Sequence, residues 1–309
     1  MSGVPVVFNS NYHISDWNTD HRFPMPKYQL LHQLLIQDGI CGEDDFYEAE
    51  SAPRNALERV HLPNYLNDFQ SGTLEQRVMR RIGLPWSEGL VKRTFASSGG
   101  TLLAGRIALK NGMACNLGGG THHAFPDHGA GFCIFNDVSV ALRQLRAENL
   151  IRRALIVDLD VHQGDGTAWI HREEPEIFTF SMHCGDNFPF RKQVSDLDLS
   201  LDPGMEDDEY LQILNNYLPD LIQEHQPDLI FYNAGCDPHR NDPFGKLDLT
   251  SEGLFKRDIY VFQTAHESRV PIASLLGGGY SRDHAEIARR HSIVIKAAAK
   301  VYKNVHGSY

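Results

Sequence analysis

Five short apolar runs punctuate the chain, each ending in Gly, His, Asp or Tyr: MACNLGGGTHH (113–123), ALIVDLDVHQGDG (154–166), IFTFSMHCGD (177–186), LIFYNAGCD (229–237) and PIASLLGGGY (271–280). Their apolar residues are consecutive rather than alternating, the mark of strands buried on both faces. Helical periodicity covers 27–38, about 100–111, 136–149, 207–225, 251–268 and 283–303, and several of these stretches open on Asn, Asp, Ser or Thr caps. Strand and helix alternate, which predicts an α/β fold with a parallel β-sheet sandwiched between helix layers. In such sheets ligands bind beyond the carboxyl ends of the strands. That is where this chain carries its histidines, aspartates and glycine runs.

A length of 309 residues with 41% hydrophobic content suits one large unit. With no internal repeat, low-complexity tract or charged linker, a single domain over 1–309 is expected. The net charge of −11 excludes direct nucleic-acid binding by phosphate neutralisation. It suits cationic partners such as lysine-rich tails or polyamines, but first of all plain solubility. Five scattered cysteines (Cys41, Cys115, Cys133, Cys184, Cys236) include no C-x-x-C pair, so neither a disulfide framework nor a thiolate zinc site is indicated. The opening MSGVPVVFNSNYHISDWNTDHRF does not read as a signal peptide, and no run of about 18 apolar residues appears. The expectation is a soluble, cytoplasmic protein without a membrane span.

The densest chemistry lies in Asp158-Leu159-Asp160-Val161-His162-Gln163-Gly164-Asp165-Gly166. Alternate residues of an extended chain share a face, so Asp158, Asp160 and His162 can point together from a strand end. Acidic residues after an apolar run also serve simply to turn the chain. Three such groups on a buried strand are nevertheless costly without a metal or partners, and Asp with His suits zinc or iron(II). A further ligand can come from Asp237 or from Asp242 in NAGCDPHRNDPFG, and the residues alone leave that choice open. Gly118-Gly119-Gly120-Thr121-His122-His123 places two imidazoles after a glycine run, with Asp158 and Asp165 as spare carboxylates to orient them. Leu275-Leu276-Gly277-Gly278-Gly279-Tyr280 ends in a phenol that can donate to an oxyanion, although most tyrosines are half-buried core residues.

Taken in order, GGGTHHAFPDHGAGFCIFND, VDLDVHQGDGTA, YNAGCDPHRNDPFG and LLGGGY resemble the histone deacetylase family, of the arginase/deacetylase fold. HRFPM (21–25) with Lys27-Tyr28, and NFPFRK (187–192), look most like its compact class IV and bacterial members. The resemblance implies a zinc-dependent deacylase acting on acylated lysine in protein or on an acylated small amine, with iron(II) an acceptable substitute. It implies metal ligands Asp160, His162 and Asp242, leaving Asp237 structural. It pairs His122 with Asp158 and His123 with Asp165, with His123 as general base and acid and His122 as electrostatic partner. Tyr280 falls on the carbonyl-polarising tyrosine, and Gly131, Phe132 and Phe188 on the walls of an acyl-lysine tunnel. A structural potassium ion is implied near Asp158, Asp160, His162, Ser181 and Met182. Residues 83–99 are expected to form part of the tunnel rim.

Two other readings use the same scaffold. The two-manganese ureohydrolases resemble a D-A-H-x-D pattern with a later D-x-D, whereas Gly164 follows His162 by two and Arg240 precedes Asp242 by two. An inactive acyl-lysine reader is expected to have lost a ligand, a histidine or the tyrosine, and all are present.

Overall fold

The computed structural model describes residues 3–306. Among the described residues eight strands form one sheet: β1 (Val6–Phe8), β2 (Phe46–Glu48), β3 (Met113–Asn116), β4 (Ala154–Asp158), β5 (Ile177–Cys184), β6 (Leu197–Leu201), β7 (Leu229–Asn233) and β8 (Ile272–Leu275). Their order is β2-β1-β3-β8-β7-β4-β5-β6, and every pairing is parallel. The fold is therefore α/β. All five apolar runs supply strands, and most of the polar and glycine residues that end each run lie beyond the strand, in the loops.

Alternate residues on the central strands pack into opposite layers. Leu155, Val157, Ile230 and Tyr232 belong to one apolar cluster, while Ile156, Leu229 and Phe231 belong to the other. Helices α5 (Glu88–Asn111) and α6 (Asp137–Ala147) cover the second face, and α1 (Lys27–Gln37), α8 (Asp207–His225), α9 (Ser251–Glu267) and α10 (His284–His306) the first. Three short helices, α2 (Arg54–Leu57), α3 (Pro63–Ser71) and α4 (Gln76–Ile82), precede α5, and α7 (Asp165–His171) follows β4. Side-chain caps start the helices where the sequence suggests them. Asn136 accepts from the Ser139 N–H, and Thr250 from the Gly253 N–H.

One expectation is met only in part. Residues 88–99 do not form a tunnel rim but the first half of α5, which begins at a Ser87 cap and is buried over Ser97–Gly100. Within the expected 83–99 segment, Gly83 lines the large cavity described below.

Candidate active site

Loops after β3, β4, β7 and β8 meet at one end of the sheet, and these four strands are neighbours in it. β4 ends at Asp158, so Asp160 and His162 lie on the turn beyond rather than on the strand. That turn is closed by its own carboxylates. Asp158 Oδ1 accepts from the Asp160 N–H at 3.2 Å, and Asp160 Oδ1 from the His162 N–H at 3.0 Å. The acidic residues thus both turn the chain and face the site.

Asp160, His162 and Asp237 are buried with potential ligand atoms within 4.8 Å of one another. His162 Nδ1 stands 3.0 Å from Asp160 Oδ1 and 3.2 Å from Asp237 Oδ2. Asp237 Oδ1 accepts from the Val161 N–H, but Oδ2 is buried and lacks an aligned hydrogen-bond donor. Asp242 lies outside this trio. Its Oδ2 accepts from the Tyr280 N–H at 2.7 Å and faces Arg290 Nη1 at 3.4 Å, while Oδ1 accepts from the Phe244 N–H at 2.9 Å. Burial and the neighbouring Asp160 raise Asp237 to about 6; burial and Asp237 raise Asp242 to about 7. Asp160 is held well below the ordinary carboxylate range, because its imidazole neighbours His122 and His162 outweigh burial. Two buried carboxylates against one imidazole, one of them with an oxygen that lacks an aligned donor, form a donor set suited to a divalent cation, with Asp242 a third buried carboxylate on the same loop as Asp237.

The loop after β3 is clamped from α6: Asp137 accepts from the Gly120 N–H at 3.0 Å and from the Thr121 N–H at 2.7 Å. This sets the next two residues. His122 Nδ1 lies 2.7 Å from Asp158 Oδ2, and His123 Nδ1 lies 2.7 Å from Asp165 Oδ1, at the start of α7. The two imidazoles nevertheless titrate oppositely. Burial disfavours charge on both, but Asp158 and Asp160 outweigh it at His122 and raise it to about 9. At His123, burial and the His122 charge prevail and lower it to about 4. The surroundings thus favour charge on His122 and the neutral form of His123.

Tyr280, on the loop after β8, packs against Phe244 and Phe132 with ring centroids 4.9 and 5.7 Å away. Burial and the nearby acids push its phenol well above its ordinary range, so it stays protonated. His123, His162, Phe132, Phe188 and Tyr280 line a cavity of about 1040 Å³. Gly131 also lines it, at φ +53°, and a Cβ there would stand 2.8 Å from His123 Cδ2 and 3.1 Å from Phe188. A side chain would crowd both the histidine and the aromatic wall. Phe188 sits edge-on to His123 at 4.8 Å.

Several supporting residues escaped the sequence reading. Asn233 Nδ2 donates to Asp158 Oδ1 at 3.0 Å, and as a polar residue ending an apolar run it was visible in principle. Arg257 donates to the Leu159 and Gly235 carbonyls beneath both acidic turns. An arginine on an amphipathic helix reads as solvent-facing, so no sequence signal distinguished it.

A buried Asp-His-Asp cluster able to hold a cation, beside two carboxylate-paired imidazoles at the end of an aromatic-walled cavity, is equipment suited to hydrolysis. Comparison with known proteins gives this chemistry a family. The model of the histone deacetylase domain matches residues 21–297. An uncharacterized protein of Picosynechococcus sp. is 49% identical over 300 residues, covering 97% of this chain and all of that one. Histone deacetylase 2 of Arabidopsis thaliana is 31% identical over 298 residues (93% and 77% of the two chains). The acetoin utilization protein AcuC of Staphylococcus aureus is 25% identical over 288 residues (86% and 74%). The chain belongs to the histone deacetylase family. It is a hydrolytic deacetylase.

Proposed function

We propose that the protein removes an acyl group from acylated lysine or a related acylated amine, using one divalent metal ion, zinc or iron(II), and water as nucleophile. The observation that carries this reading is geometric: two adjacent buried imidazoles, each with Nδ1 2.7 Å from its own carboxylate, stand beside the buried Asp160-His162-Asp237 cluster at the end of the cavity. A bound ion supplies Lewis acidity, polarising the amide carbonyl and making water easier to deprotonate. His123 is neutral, oriented through Nδ1 by Asp165, and takes the proton of the attacking water. His122, held as a cation by Asp158, offsets the negative charge that develops beside it. Tyr280 donates its hydroxyl to the oxyanion, and His123 then returns a proton to the leaving amine. Gly131, Phe132 and Phe188 hold the acyl-bearing chain.

Asp160, His162 and Asp242 are the proposed ligands, the last because the D-x-x-x-x-D spacing of the family pattern falls there. The unsatisfied Oδ2 of Asp237 favours a second reading in which Asp237 takes that place. The proposed potassium site, near Asp158, Asp160, His162, Ser181 and Met182, draws support from the register that pairs Asp158 with Ser181. The burial of all five cysteines as free thiols is compatible with the proposed cytoplasmic location.

The test is metal content and deacylation of an acetyl-lysine peptide in the wild type, Asp242→Asn and Asp237→Asn. One ion per chain, lost with activity in Asp242→Asn and retained in Asp237→Asn, is expected. The reverse pattern installs Asp237 as ligand. Chelator-insensitive turnover, or two manganese ions per chain, refutes the single-metal mechanism.

A further inference from the structure

The mouth of the large cavity is cationic on a chain of net charge −11. Four exposed residues from four separate segments line it: Arg22 before α1, Arg81 at the end of α4, Arg191 after β5 and Lys246 after β7. Exposed ion pairs occur elsewhere, as in Arg54–Glu58, Arg106–Glu148, Arg240–Asp248 and Lys296–Asp38. None of the four mouth cations forms an ion pair among the described residues. Lys246 donates to a carbonyl, that of Asp186, and the Arg81 guanidinium lies 5.9 Å from the Phe125 ring centroid. Two carboxylates line the same cavity. Asp165 is buried against His123, which leaves Asp20 as the exposed one. His21 adds no charge at neutral pH, since burial holds it below its ordinary value.

Forty acidic against 29 basic residues make an average patch of this surface negative. The mouth inverts that balance, and a concave opening concentrates the field of the charges around it. Building on the deacylase reading, we infer that the mouth selects acyl-lysine flanked by acidic residues in a peptide. The four cations are exposed while Phe132 and Phe188 of the same cavity are half-buried, which puts the positive charge toward the opening, where the chain flanking an inserted lysine would lie. Lysine-rich tails and acylpolyamines, which the net charge alone favours, are repelled at the entrance.

The experiment measures kcat/KM of the metal-loaded enzyme on acetyl-lysine peptides identical except for Glu, Gln or Lys flanks, at low and high salt. Glu flanks are expected to exceed Lys flanks by about tenfold or more at low salt, mainly through KM, with the ratio shrinking as salt screens the mouth. In an Arg22→Glu/Arg191→Glu variant the Glu:Lys ratio is expected to fall to one or below. Equal rates, a preference for Lys flanks, or a ratio untouched by charge reversal overturns the inference. Free N-acetyl-lysine and its carboxamide form a further arm: a preference for the free carboxylate without one for Glu flanks assigns the anion to a small molecule and overturns the peptide. Fluorescence anisotropy of the same labelled peptides reads the preference without turnover. If no peptide is hydrolysed, the deacylase reading fails, and the binding ratio still decides the charge preference.

Discussion

Removing the Tyr280 hydroxyl separates chemistry from packing, because the ring alone makes the contacts with Phe244 and Phe132. Tyr280→Phe should fold and bind substrate normally while turnover falls about 10²-fold or more. Steady-state kinetics with a denaturation midpoint checks this, and near-wild-type kcat removes the hydroxyl from the mechanism. At this scale the sequence was most informative where residues are close together. Asp158, Asp160 and His162 were legible as a group, although for a reason only partly right: the strand ends at Asp158, and carboxylate-closed turns rather than strand alternation aim the next two. The choice between Asp237 and Asp242 was not legible, because an irregular loop gives no period from which to read direction. Proximity to His162 and the backbone bond from Tyr280 now distinguish their surroundings.

Among the elements, α9 matters to the site without entering it. Arg257 is 1% exposed, paired with Asp258 at 2.8 Å, and Asp258 accepts from the Tyr232 hydroxyl. Its guanidinium ties Leu159 to Gly235, the residues beside Asp160 and Cys236 on two converging turns. Arg257→Leu takes the cation from buried Asp258, leaving it only the Tyr232 hydroxyl, and removes the side-chain donor from two buried carbonyls, so a loss of about 3–5 kcal/mol is expected. Chemical denaturation measures it, and a loss below about 1 kcal/mol would show that the network carries little. Helix α5 shows why some elements were misread. Its middle contains Ser97-Ser98-Gly99-Gly100, a composition that looks like a loop. An added Cβ at Gly99 would lie 1.8 Å from the Glu50 carbonyl oxygen. The glycine serves close packing of another segment against the helix, which a single sequence does not reveal. Strands β1 and β2 escaped because three residues hold too little pattern to distinguish from a loop.

Acid sensitivity belongs to the whole molecule, since its histidines join distant segments. His61 has Nδ1 3.1 Å from the Phe125 carbonyl oxygen, while Nε2 accepts from the Asn136 N–H at 2.9 Å. The neutral ring satisfies both, and burial lowers His61 from 6.5 to about 4. The folded state therefore refuses a proton that the unfolded chain accepts. The stability this group contributes is complete above about pH 6.5 and is lost as pH falls from there towards 4, by about 3 kcal/mol. Urea unfolding at pH 7 and pH 4.5 should show the decline, and His61→Gln should be less stable at pH 7 yet flatter with pH. An unchanged slope in that variant would assign the acid sensitivity elsewhere.

The sheet order also bears on how the molecule comes into being. β8, the last strand in the chain, does not close an edge but sits between β3 and β7, with partners more than 150 and about 40 residues behind it. Before residues 272–275 arrive, the growing chain has a gap at the centre of its sheet, and the two sets of site residues on either side have no common support. Pairings this distant in sequence are slow, because loop entropy is lost before the contacts compensate it. The activity is thus a property that the chain acquires late, when its penultimate element enters the middle of what has already folded.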